Sequence, residues 1–226
     1  MKKIKLFLLA IVVGISLLAS QVYSQWSFVG FVTGAGQFPS ISVYGPNSLV
    51  IAGGPAAGTP AVFKSTNGGT SFTAITGTGI TLDVFCVWAV DDNTVYVGDG
   101  GNPGGTTGGN AKVYKTTNGG TLWTIILSTG GTAGFINGIV FSKVNSQIGI
   151  AQSDPPAGSG VYWIAKTTNN GTTWVTEAPT GSGSASAQNS VFCIDAQFYG
   201  FGLNSAPARV GVTANGGTSW TYATVT

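Results

Sequence analysis

The sequence predicts an all-β fold, a β-propeller-type array of four-stranded antiparallel blades that is incomplete or open as a ring. Three observations predict it. One turn is written four times: VFKSTNGGTSFT at 62–73, VYKTTNGGTLWT at 113–124, IAKTTNNGTTWV at 164–175 and GVTANGGTSWTY at 211–222. Its asparagines, Asn67, Asn118, Asn169 and Asn215, stand 51, 51 and 46 residues apart, and a fixed period of that size marks a repeat architecture. Each period holds four short β-type runs bounded by turn residues, and beyond the N-terminus no segment has a helical apolar period. A β-solenoid would use shorter units, and a β-sandwich would not repeat so faithfully. Four antiparallel strands per repeat are propeller blades.

The first 24 residues, MKKIKLFLLAIVVGISLLASQVYS, have a basic start (Lys2, Lys3, Lys5), an apolar core at 6–18, and Val22 and Ser24 at the small-residue positions before Gln25. This is the pattern of a secretory signal peptide. The apolar run is shorter than the ~20 residues of a spanning helix. No cysteine follows the cleavage position, so a bacterial lipid anchor is not expected. The expected location is secreted or cell-surface, with no membrane span after the signal is removed. Without its three lysines the chain keeps six basic and seven acidic residues, a net charge of −1. The apparent basicity therefore belongs to targeting, and no nucleic-acid partner is expected.

Charged residues make up 7% of the chain, against about 25% in an average domain. Gly, Ser, Thr and Asn carry the surface instead, while 43% apolar and 11% aromatic residues suffice for a core. Cys86 and Cys193 each lie in an apolar run, DVFCVWAV and NSVFCIDA, and read as buried small side chains rather than a disulfide. There is no histidine, which excludes histidine metal sites, triads and proton shuttles. No cofactor and no metal are expected.

The repeat units fall at about 32–77, 78–128, 129–179 and 180–226. The first reads SISVYG, SLVIAG, AVFKST, TSFTAI; the second VFCVWAV, TVYVGD, KVYKTT, TLWTIIL; the third NGIVFS, QIGIAQ, YWIAKT, TTWVTE; the fourth SVFCID, YGFGLN, RVGVTA, TSWTYA. The repeated turn joins the third and fourth strands of each unit. Asn-Gly pairs accept the positive φ of a tight hairpin, and the Asn and Ser/Thr side chains bond to nearby backbone. The aromatic five residues after each asparagine starts the outer strand and packs on its hairpin partner. QWSFVGF at 25–31 reads as one further outer strand. Four complete units and an extra strand do not close a ring by strand exchange. The expectation is an open arc or part of a longer propeller, with self-association through open blade edges.

The turns match Ser/Thr-x-Asp/Asn-x-Gly-x-x-Trp/Phe through Ser65, Asn67, Gly69 and Phe72; Thr116, Asn118, Gly120 and Trp123; Thr167, Asn169, Gly171 and Trp174; and Thr213, Asn215, Gly217 and Trp220. This resembles the Asp-box (BNR) repeat of the sortilin/sialidase-like propellers, which include xyloglucan hydrolases and exported bacterial repeat proteins. All four copies have Asn where that family most often has Asp. The resemblance implies that the boxes are structural hairpins remote from any active site. It implies a fold and leaves the chemistry open.

Strand alternation puts loops after first and third strands on one face, with the boxes, and loops after second and fourth strands on the other. The second face is glycine-rich and offers Asp99, Asn102, Asp154 and Asn204 as ligand-binding candidates, with Asp83 nearby. Trp88, Tyr162 and Trp163 are candidates for a sugar-stacking platform. After the signal the chain has one arginine, Arg209, and one glutamate, Glu177, too few for a sialidase's arginine cluster and Tyr/Glu pair. A glycosidase needs two placed carboxylates, and Asp99 and Asp154 occupy similar places in adjacent units. The expected function is a secreted, non-catalytic module for binding or surface display of an unknown glycan or protein ligand. The alternative is part of a carbohydrate-active enzyme whose catalytic residues lie on other blades.

Overall fold

The computed structural model describes residues 37–54, 60–102, 108–131, 134–155, 162–182, 190–204 and 207–225. The signal-like segment and the strand expected at 25–31 lie outside them. The described residues form sixteen strands and no helix. The first sheet is β1 (Gln37–Val43), β2 (Leu49–Gly54), β3 (Ala61–Ser65) and β4 (Thr73–Ala74). The second is β5 (Val84–Ala89), β6 (Val95–Asp99), β7 (Lys112–Thr116) and β8 (Thr124–Ser128). The third is β9 (Ile136–Phe141), β10 (Gly149–Ser153), β11 (Trp163–Thr167) and β12 (Val175–Glu177). The fourth is β13 (Val191–Cys193), β14 (Tyr199–Leu203), β15 (Arg209–Thr213) and β16 (Thr221–Thr224). Each sheet is an antiparallel meander in chain order, as the period predicted.

The four blades share one register where their second strands meet the third. Leu49 pairs with Ser65, Val95 with Thr116, Gly149 with Thr167 and Tyr199 with Thr213, so each second strand is in the same register with its turn hydroxyl. Because side chains alternate between sheet faces, this register assigns every residue to the front or back of its blade. The backs of blades 1, 2 and 3 pack on the fronts of blades 2, 3 and 4. The first junction holds Val50 and Val62 against Val87, Val95, Tyr114 and Trp123. The second holds Cys86, Tyr96 and Val113 against Ile139 and Phe141, with Tyr96 stacked on Phe141 at 4.2 Å. The third holds Ile150 and Ile164 against Tyr199 and Phe201. These cores are almost wholly apolar, so area removed from water is their main stabilisation.

The repeated turn is the same in all four copies. The Ser65, Thr116, Thr167 and Thr213 hydroxyls accept the Gly69, Gly120, Gly171 and Gly217 N–H at 2.9–3.0 Å and donate to the asparagine Oδ1 at 2.9–3.0 Å. That Oδ1 also accepts a backbone N–H four residues on, from Ser71, Leu122, Thr173 and Ser219. The positive φ falls on the two residues after each asparagine. Three copies place glycine at both. The third has Asn170 at φ 59, and the next blade back holds it: Tyr96 donates its hydroxyl to Asn170, and Lys115 Nζ donates to its carbonyl at 2.9 Å.

Two details differ from the sequence reading. The outer strands begin one residue after the box aromatic, at Thr73, Thr124, Val175 and Thr221. In blades 2, 3 and 4 the aromatic itself turns into the junction with the preceding blade. Trp123 is buried there, and its indole N–H donates to Ile75 O at 3.0 Å and Gly120 O at 3.1 Å. An indole N–H buried this deeply needs an acceptor, and the neighbouring blade supplies one. Cys86 and Cys193 form no disulfide; Cys86 is buried as expected, whereas Cys193 is only partly buried.

The junctions also carry a phased lysine. Lys64 Nζ donates to Asp92 O at 3.1 Å, Lys115 Nζ to Asn170 O at 2.9 Å and Lys166 Nζ to Gly216 O at 2.7 Å, in each case on the next blade. Each of these lysines precedes its turn Ser or Thr. The fourth copy has Val212 at that position.

Candidate functional site

Asp99 ends β6 and is fully buried. Its Oδ1 accepts the Gly101 N–H at 3.0 Å and the Lys112 N–H at 2.7 Å, and its Oδ2 accepts the Tyr114 hydroxyl at 2.9 Å. Burial lifts its pKa above the usual carboxylate value, and these three bonds oppose that rise. The carboxylate ties both ends of the β6–β7 connection together, which occupies both its oxygens. Asn102 belongs to the same tie, donating from Nδ2 to Gly108 O at 2.6 Å.

Asp154 follows β10, half-buried, and accepts from Asn137 Nδ2 at 2.6 Å. Register separates it from Asp99: Asp99 is equivalent to Ser153, one residue earlier. A one-residue offset reverses the side-chain direction, so the two carboxylates do not hold matching places in adjacent blades. Asn204 is exposed just past β14. Much of the glycine-rich face, at 55–59, 103–107, 156–161, 183–189 and 205–206, lies outside the described residues. Asp99 and Asn102 are thus tied into one structural loop, while Asp154 sits one register position away from the place of Asp99 and Asn204 is exposed. Of the proposed aromatic platform, Tyr162 is fully buried and stacked on Phe201 at 4.4 Å, which removes it from any ligand. Trp163 is half-buried on β11.

Trp88 has a different setting. The inner strands β1, β5, β9 and β13 surround a cleft of about 250 Å³, lined by Ser40, Ile41, Val87, Trp88, Ile139 and Val191 among others. A second hollow of about 220 Å³ lies where these strands end, between Tyr44, Trp88, Val90, Lys143 and Ser146. Trp88 lines both. Lys143 Nζ stands over its ring, 4.5 Å from the centroid, a cation–π arrangement. The Tyr44 hydroxyl donates to Asp92 Oδ1 at 2.8 Å, and burial with that carboxylate raises its pKa to about 12.

The described lining of the cleft is mostly aliphatic side chains with one half-exposed indole, and among the described residues neither lining includes a carboxylate, thiol or histidine. The Ser40 hydroxyl is already used, accepting the Val87 N–H at 3.1 Å. The sequence named Trp88 on residue type alone. Tyr44 and Lys143 were missed because they come from different repeats at positions that do not recur.

No protein-family model matches this sequence, and no curated protein does. Among solved structures, an ancestral GH74 enzyme is similar over 82% of this chain and 24% of its own, with 22% identity and a TM-score of 0.58. The GH74 enzyme of Niastella koreensis is similar over 79% of this chain and 28% of its own, at 21% identity and a TM-score of 0.55. A protein of unknown function from Dyadobacter fermentans is similar over 83% of this chain and 64% of its own, at 12% identity and a TM-score of 0.57. The fold is that of β-propeller blades. The chain spans about a quarter of the length of the two GH74 enzymes, and at these identities the likeness establishes architecture alone.

Proposed function

We propose that this chain is an exported, non-catalytic propeller module that binds a glycan or protein ligand in the cleft between its inner strands, with its four turns acting as structural Asp-box (BNR) repeats. One observation carries the reading: the half-exposed indole of Trp88 lines both the cleft, among mostly aliphatic side chains, and the adjoining hollow, where Lys143 stands over its ring, and no carboxylate lines either among the described residues. Such walls bury a ligand's apolar or ring surface, and a few polar groups orient it. The carboxylate best sheltered for catalysis, Asp99, has all its bonding taken up within the blade.

A glycan array on the purified chain, followed by product analysis of every glycan retained, tests this. Retention without cleavage supports the binding reading. Cleavage supports the alternative, that the chain is part of a carbohydrate-active enzyme such as the GH74 proteins it is similar to in fold. No retention of any glycan directs the same cleft to peptide ligands.

A further inference from the structure

The two end blades each have a face that no described blade covers. On the front of blade 1, Ile41 and Val43 are 62% and 56% exposed, while their equivalents in blade 2, Val87 and Ala89, are 4% and 1% exposed in the first junction. On the back of blade 4, Val210 is half-exposed, while its equivalents Val62, Val113 and Ile164 are fully buried. Phe192 and Val212 beside it are partly open, and Ala223 and Ile194 are exposed. Neither face carries a charge at its strand positions. The lysine that anchors each of the other three backs to its neighbour is replaced by Val212 on this one.

The molecule itself shows what covers such faces. Three times, the back of one blade meets the front of the next through these same positions. Fronts never meet fronts. We propose that a second copy of this chain occupies the end faces, with the back of blade 4 packed on the front of blade 1 of the partner. Each junction joins unlike faces, and the two related junctions together make one self-complementary interface. Two copies joined this way at both ends bring eight blades together, within the propeller range of about 4 to 8. The ring then closes on a two-fold axis with two identical junctions, and no apolar end remains to drive further association.

Analytical ultracentrifugation of the full chain, as processed and exported by its host, tests this. The wild type is expected at twice the monomer mass. Val43→Lys spoils only the front face and Val210→Lys only the back, and neither residue lines the cleft. Each variant alone is expected to be monomeric with an unchanged β circular dichroism spectrum. Mixed in equal amounts they regain a dimer, because each retains the face that the other has lost. If Val210→Lys does not fold, Ala223→Lys, at an exposed position on the same face, replaces it. A monomeric wild type would overturn the proposal and assign the faces to blades or a partner beyond this sequence. So would a Val43→Lys or Val210→Lys variant that stays dimeric alone, since that requires like faces to meet.

Discussion

At the scale of single residues, the fold depends on a side-chain network written four times. Asn118 Oδ1 accepts from Thr116 and from the Leu122 N–H, so it fixes the hairpin from inside the turn. Asn118→Ala is expected to lower stability by about 1 kcal/mol, the scale of a lost local hydrogen bond. Chemical denaturation checks this, and ligand affinity should be unchanged because Asn118 does not line the cleft. These turns were legible in the sequence because their geometry is local: an asparagine, a hydroxyl two residues before it and positive-φ residues after it specify the bonds. The functions of Asp99 and Trp123 were not legible. Whether a carboxylate is free or consumed, and whether an indole lies on its own hairpin or in a neighbour's junction, depends on residues about 15 to 50 positions away. Only register decides it.

At the scale of the element, the three junction lysines are not equal. Lys166 pairs with Glu177 at 3.0 Å, with the two side chains 16% and 14% exposed, and also contacts the Tyr199 hydroxyl and Gly216 O. Lys64 faces Asp92 at 3.7 Å, with the carboxylate side chain 61% exposed. Removing Lys166 leaves a largely sheltered carboxylate without its cation. Lys166→Met is expected to cost about 1–3 kcal/mol, and Lys64→Met about 0–1 kcal/mol. Thermal denaturation of both variants ranks them, and equal losses would contradict this account of the junctions. The strands themselves were legible from alternation and turn residues. The pairing of blade backs with fronts was not, because a one-residue shift reverses every side chain and the sequence does not show the bulges in β1, β5 and β9–β10.

At the scale of the whole molecule, the junctions bury tyrosines. Burial, with nearby carboxylates adding to it, raises the Tyr44 pKa to about 12 and pushes Tyr96, Tyr114 and Tyr199 higher still. The folded chain therefore holds protons that the unfolded chain releases near 10. The stability these groups contribute is fully present below pH 10 and is lost as pH rises through 10 and toward 12. Phenolate absorbance and far-ultraviolet circular dichroism, followed together, are expected to change in one cooperative step in that window. Ionisation near pH 10 with the β signal intact would contradict the buried setting of these side chains.

The cleft belongs to the same scale, since no single blade contains it. Its wall takes residues from all four inner strands, and the adjoining hollow takes Tyr44, Lys143 and Ser146 from two blades. Isothermal titration of wild type and Trp88→Ala with the strongest ligand from the array tests the central claim most directly. The account predicts a loss of affinity of at least about tenfold for Trp88→Ala, which is 1.4 kcal/mol of binding energy, with the folded β spectrum retained. Unchanged affinity in the folded Trp88→Ala variant would contradict binding in this cleft.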